Sequence, residues 1–154
     1  MPILGVAEGQ VVSTPEPGPF TEDWLAAWNG HDIDAVLAHF HDDVVFTSPI
    51  AARVVPESGG MVRGKAALRA YWNAALTTMP DLHFDIVGVY QGESVVVINY
   101  RNQSGALVNE VLEFDGGLVC RGHAARWPPS ACPSPPRRRC RTRSRTRCAS
   151  GCRP

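Results

Sequence analysis

The longest regular pattern in the chain is a period of two over residues 81–125, and it predicts a meander of four strands. Over residues 81–90, Leu82, Phe84, Ile86 and Gly88 fall on one side and His83, Asp85, Val87 and Val89 on the other. Gln91-Gly92-Glu93 turns the chain. Residues 94–103 are rich in Val and Ile, which favour strands. Ser104-Gly105 turns it again, and residues 106–115 set Val108, Glu110, Leu112 and Phe114 against Val111, Glu113 and Asp115. Asp115-Gly116-Gly117 is a strong hairpin signal, with residues 118–125 as the last strand. Glu110 breaks the pattern, because it shares a face with three apolar residues. If that face is buried, a carboxyl lies in an apolar hollow, and chemistry is expected there.

Ahead of the meander the period changes to that of helices. Residues 20–30 read as a helix with Thr21 as N-cap, Glu22 and Asp23 in the first turn, and Asn29-Gly30 as its stop. Trp24 and Trp28 share one face of it. Asp32 caps a second helix with an apolar stripe of Ile33, Val36, Leu37 and Phe40, followed by a short strand over residues 44–47. Residues 48–64 read as a long irregular loop. A third helix covers residues 64–79, with Leu68, Tyr71, Trp72, Ala75 and Leu76 on its apolar face and Pro80 beyond its end. Helices ahead of an antiparallel meander predict an α+β cone, a curved sheet with three N-terminal helices closing its pocket.

Composition divides the chain into three. Residues 1–19 read as a loose arm, 20–126 as the folded domain, and 127–154 as a disordered tail. The zero net charge hides a separation: residues 1–126 carry seven basic and fifteen acidic side chains, net −8, and residues 127–154 carry eight Arg and no acid, net +8. Arg, Pro, Cys and Ser make up 22 of those last 28 residues, too little apolar material to offset the entropy of ordering them. The Arg-dominated composition is also that of a GC-rich coding sequence read out of frame. An acidic domain argues against nucleic-acid binding by the folded part. No apolar run approaches the roughly 18 residues of a membrane span. No signal peptide is recognisable, so a cytoplasmic location is expected. Cys120 reads as a buried hydrophobe on a strand. His39 and His41 are two apart on a helix end and do not form a metal pair. No metal or cofactor is expected.

Several local runs resemble the SnoaL-like members of the nuclear-transport-factor-2-like (ketosteroid isomerase-like) superfamily. They are Trp28-Asn29-Gly30-His31-Asp32, Asp42-Asp43-Val44-Val45-Phe46, Val62-Arg63-Gly64-Lys65 and Glu113-Phe114-Asp115-Gly116-Gly117. The resemblance implies a cone-shaped pocket and a homodimer built on the outer face of the sheet. It does not imply a reaction, since the superfamily holds isomerases, cyclases, dehydratases and non-catalytic binders. Position by position, Ser48 before Pro49 stands where the isomerases carry their general base, and Trp24 stands at the oxyanion tyrosine. Phe40 and Trp72 stand at two supporting tyrosines, and Glu110 stands at the protonated aspartate. Steroid isomerisation is therefore not expected.

Glu110 is the catalytic candidate, with a bonded, purely structural carboxyl beside Tyr100 or Asn102 as the alternative. Trp24, Trp28, Phe40, Phe46, Ser48, Trp72 and His123 are the ligand-pocket candidates, although the direction of His123 depends on strand register. The expected ligand is a small apolar or polyketide-like molecule, handled by a cofactor-independent isomerase, cyclase or dehydratase. The alternative is a non-catalytic ligand-binding or dimerisation module. The dimer face is expected to carry Val87, Val89, Val95 and Val97.

Overall fold

The computed structural model describes residues 14–126, so most of the arm and the whole of the 127–154 tail lie outside the described residues. Helix α1 (Pro17–Asn29) is followed by α2 (Ile33–Leu37), strand β1 (Phe40–Thr47), α3 (Ala51–Val54), a 3-10 turn (Pro56–Ser58), β2 (Met61–Arg63) and α4 (Lys65–Thr78). The meander follows as β3 (Phe84–Gln91), β4 (Val95–Asn102), β5 (Leu107–Asp115) and β6 (Leu118–Arg126). The six strands make one unclosed sheet in the order β2-β1-β6-β5-β4-β3. Every pairing is antiparallel except β1 with β6. The α+β architecture read from the sequence is the one observed.

Four local expectations are corrected. Helix α1 begins at Pro17 rather than after Thr21, with Glu16 at the cap and no side-chain cap bond. Pro17 and Pro19 do not interrupt it, because first-turn N–H groups have no helical acceptor in any case. Phe20, in its first turn, meets His39 and Phe114 edge-on, at 5.1 and 5.2 Å. Phe40 belongs to β1 and not to the second helix. The segment read as irregular holds α3, the 3-10 turn and β2, whose Val62 pairs with Phe46.

The fourth correction concerns the faces of β3. The register with β4 shifts between Ile86 and Gly88, so Val87 is the extra residue of a bulge. Ile86 pairs with Tyr100 and Val89 with Ile98, both inward residues of β4. Val89 therefore packs against the core. Val87 is exposed, and Val95 and Val97 stay on the outer face opposite Glu113 and Val111.

The inner face meets α1, α2 and α4 in one aromatic and aliphatic core. Asn29 ties α1 to the sheet, accepting from the Phe84 N–H at 2.8 Å and donating to the Phe84 carbonyl at 3.0 Å. Lys65 pairs with Asp42 at 3.1 Å, joining the start of α4 to β1. The β5–β6 turn is Gly116-Gly117, both at positive φ (57° and 82°), as a two-residue hairpin of this hand requires. No helix among the described residues is long and apolar enough to cross a membrane.

Candidate functional site

Strand alternation brings Val108, Glu110, Leu112 and Phe114 of β5 to the inner face, all buried. Glu110 is 3% exposed and is the one carboxylate among the buried residues described. It pairs with Ile98 on one side and Ala124 on the other. The Tyr100 hydroxyl, one strand over, donates to Glu110 Oε2 at 3.3 Å. That is the neighbour expected of a structural carboxyl, yet Glu110 also lines a cavity, and a purely structural group need not.

The cavity lies between the inner sheet face and helices α1 and α4, with about 90 Å³ of room for the centres of water-sized molecules. Trp24 and Trp28 from α1, Tyr71 and Trp72 from α4, and Phe46 and Phe84 from the sheet form aromatic walls. Trp24 stacks on Phe84 at 5.8 Å, and Trp28 meets Trp72 edge-on at 4.9 Å. Gly122 makes room for this wall, since a Cβ there would fall 2.4 Å from the Phe46 ring. Across from Glu110, the Tyr71 hydroxyl donates to Ser48 Oγ at 3.2 Å, and Ser48 Oγ also accepts from the Ile50 N–H at 3.1 Å. Ser48 is thus held by both neighbours, with no carboxylate or imidazole bonded to its oxygen.

Burial sets the electrostatics. Desolvation raises Glu110 to about 8, against the opposing pull of the Tyr100 hydrogen bond. Its carboxyl is therefore mostly protonated at neutral pH. Tyr71 is raised to about 12, chiefly by burial, with the Ser48 bond opposing and Glu110's charge adding. Tyr100 rises well above its ordinary value, first by burial and then through Glu110. Both phenols stay protonated donors through the physiological range.

Of the residues singled out in the sequence, Trp24, Trp28, Phe46, Ser48, Trp72 and Glu110 line the cavity together. Phe40 does not: it is fully buried behind Trp72, ring centroids 5.3 Å apart. His123 does not reach the cavity either. It lies on the outer face, Nδ1 at 2.7 Å from Thr47 Oγ1 and Nε2 at 3.6 Å from Glu113. Two polar residues outside that set, Tyr100 and Arg126, join the lining. Tyr100 lies on the same alternating face as Val96 and Ile98, which was signal enough to place it inward. Arg126 follows Gly122 and Ala124 on the inner face of β6, pairs with Val108 and lines the cavity, one residue beyond the expected strand end. The isomerase positions have lost their phenols, and Tyr71 and Tyr100 bring two back from other positions. No group of His, Cys, Asp or Glu suited to a metal ion occurs among the described residues.

The family model described as SnoaL-like domain matches residues 21–122. A SnoaL-like protein of unknown function from Burkholderia thailandensis superposes with a TM-score of 0.68 at 36% identity, covering 73% of this chain and 100% of that one. A putative polyketide cyclase from Sinorhizobium meliloti has a TM-score of 0.58 at 14% identity, covering 70% and 94%. TerC, co-crystallised with polyporic acid, has a TM-score of 0.59 at 16% identity, covering 70% and 88%. No curated protein matches the chain.

Proposed function

Since the chain belongs to the SnoaL-like domain family, we propose that its aromatic cavity binds a small, largely apolar molecule and that Glu110 moves a proton on it. The observation that carries this reading is a titratable carboxyl, buried in a cavity wall and raised to about 8. The chemistry needs no electron transfer. In its ionised form Glu110 takes a proton from a carbon next to a carbonyl, and the resulting acid returns it at another position or to a leaving oxygen. The Tyr100 and Tyr71 hydroxyls are donors for the developing oxyanion. Isomerisation, aldol-type cyclisation and dehydration all fit this scheme. The name of the Sinorhizobium neighbour, a putative polyketide cyclase, lies within the same range.

A direct test uses a simple carbon acid. In D2O the protein should accelerate deuterium exchange at C1 of 2-tetralone, with a rate that rises with pH through about 8. Glu110→Gln should reduce exchange by at least ~100-fold while tetralone binding stays within a few-fold. Equal exchange by the variant and the native chain would remove the catalytic role.

A second reading, a non-catalytic ligand-binding module, has one specific observation in its favour. Ser48 is hydrogen-bonded to Tyr71 and Ile50 and has no basic partner, so the cavity offers a single proton-transfer group. Tetralone binding without exchange would select it.

Assembly belongs to the same proposal. We infer a two-fold dimer through the outer sheet face. Cross-strand partners there make a continuous row of Met61, Thr47, His123, Val111, Val97 and Tyr90. Met61 and Tyr90 are large and exposed within it, and Val87 is exposed at the neighbouring bulge. An isologous contact would cover this surface.

A further inference from the structure

Ser48 is a buried hydroxyl in the cavity wall that the scheme above leaves unused. Its backbone is fixed on both sides. The Ser48 N–H donates to the Gly60 carbonyl at 2.9 Å, and the Ser48 carbonyl accepts from the Ala52 N–H at 3.3 Å. Its Oγ lies 3.1 Å from the Ile50 nitrogen and 3.2 Å from the Tyr71 hydroxyl. A hydroxyl has one proton to give and two lone pairs to fill. Ile50, Ser48 and Tyr71 bring three protons to this cluster, and only two bonds join them. Whichever way the Ser48–Tyr71 bond points, one O–H has no acceptor, since no further side-chain bond to either oxygen occurs among the described residues. When Tyr71 donates, the spare proton is that of Ser48. When Ser48 donates, it is that of Tyr71.

The second arrangement suits the chemistry better. Tyr71 looks toward the base, because the charge of Glu110 is felt at its oxygen. A phenol is more acidic than an aliphatic hydroxyl and is the stronger donor to an oxygen that gains charge. Burial raises Tyr71 to about 12, and the Ser48 bond opposes that rise by favouring negative charge on the phenol oxygen. Tyr100 starts from a different position, since its one proton is donated to Glu110 Oε2.

We propose that Ser48 is a positioning residue that acts through Tyr71. When a substrate carbonyl enters, the Ser48–Tyr71 bond reverses, and the Ile50 N–H, Ser48 and Tyr71 line up as one relay of donors ending on the carbonyl oxygen. Each donor in such a chain polarises the next. Glu110 takes the proton from the neighbouring carbon, and the C–H electron pair passes into the enolate. Tyr71 meets the enolate oxygen and keeps its own proton. The substrate class is an enolisable ketone with its oxygen on the Tyr71 wall and its acidic carbon facing Glu110. The role of Ser48 rests on the proton transfer proposed for Glu110, and the two are tested apart.

A double-mutant cycle on the full chain has two readouts. One is exchange of 2-tetralone in D2O. The other is binding of 2-naphthol, whose oxygen stands in for that of the enol, with naphthalene as the control for shape. Tyr71→Phe should lower kcat for exchange about 100-fold. Ser48→Ala should lower it about tenfold with KM within threefold. In the Tyr71→Phe background, Ser48→Ala should have no further effect, because Ser48 has lost the group it acts through. Ser48→Thr should restore most of the rate that Ser48→Ala loses. Ser48→Ala should also weaken 2-naphthol about fivefold and leave naphthalene unchanged. Ser48→Cys keeps the shape with a weak donor and carries the same cycle if Ser48→Ala melts low. Equal losses in both backgrounds, or equal weakening of naphthol and naphthalene, would overturn the proposal, since Ser48 would then only shape the wall. An unchanged kcat and naphthol affinity in Ser48→Ala would overturn it too. Coupled naphthol binding with no tetralone exchange would remove the role of Glu110 and keep the donor relay. A chain that binds neither naphthol nor naphthalene would overturn both.

Discussion

Glu110 shows how a single residue links stability to chemistry. Its folded value near 8 lies above the 4.5 of an unperturbed glutamate, so the folded state holds a proton that the unfolded chain releases. The contribution is fully present below about 4.5 and is lost as pH rises from there to about 8. At ~1.4 kcal/mol per unit, the loss is on the order of 5 kcal/mol. Denaturant unfolding at several pH values should therefore show stability falling across that window, and Glu110→Gln should flatten the fall and be the more stable chain at pH 8. An equal slope in both chains would mean that water reaches the carboxyl. Tyr100→Phe should raise Glu110 further, because it removes a bond that favours the charged form. The midpoint of the exchange profile would then move to higher pH.

At the level of elements, packing decided what local signals left open. Asn29 looks like an ordinary helix stop, but its side chain makes both backbone bonds to Phe84 of β3. Asn29→Ala should cost about 1–3 kcal/mol by leaving those groups unpaired, read as a lower midpoint in urea. Gly122 sits in a strand whose propensity would favour almost any other residue. Gly122→Ala should destabilise by about 1–3 kcal/mol through contact with Phe46, and should also narrow the cavity that Phe46 lines. A stable variant with unchanged ligand affinity would show that the ring can turn aside. The bulge at Val87 had no sequence mark. Strict alternation carried Val89 to the wrong face, since one inserted residue inverts every side chain beyond it.

For the whole molecule, the outer row from Met61 to Tyr90 and the C-terminal end of β6 make separate claims. Sedimentation should give a dimer at micromolar concentration, and Val97→Asp with Val111→Asp should give a folded monomer, because facing copies would bury four carboxylates. A native chain that remains monomeric at high micromolar concentration would rule the dimer out. A chain ending at Arg126 keeps every observed pairing of β6 with β1 and β5. Its melting temperature should match that of the full chain. A large drop would show that residues 127–154 contribute to the fold.

What the sequence determined by itself follows from periodicity and turn chemistry, which are local. The four meander strands, the apolar stripes of the helices, the Gly116-Gly117 turn and the inward placing of Glu110 all came from spacing, because a period of two leaves a buried face no other register. Tertiary structure alone decided which distant residues share a cavity. Trp24, Tyr71, Tyr100 and Arg126 come from four different elements, and their meeting depends on how α1 and α4 cross the curved sheet. The same packing sent His123 outward and put Phe40 behind Trp72. Burial then raised Glu110 and Tyr71. Those are properties of the enclosure, which no local pattern in the chain encodes.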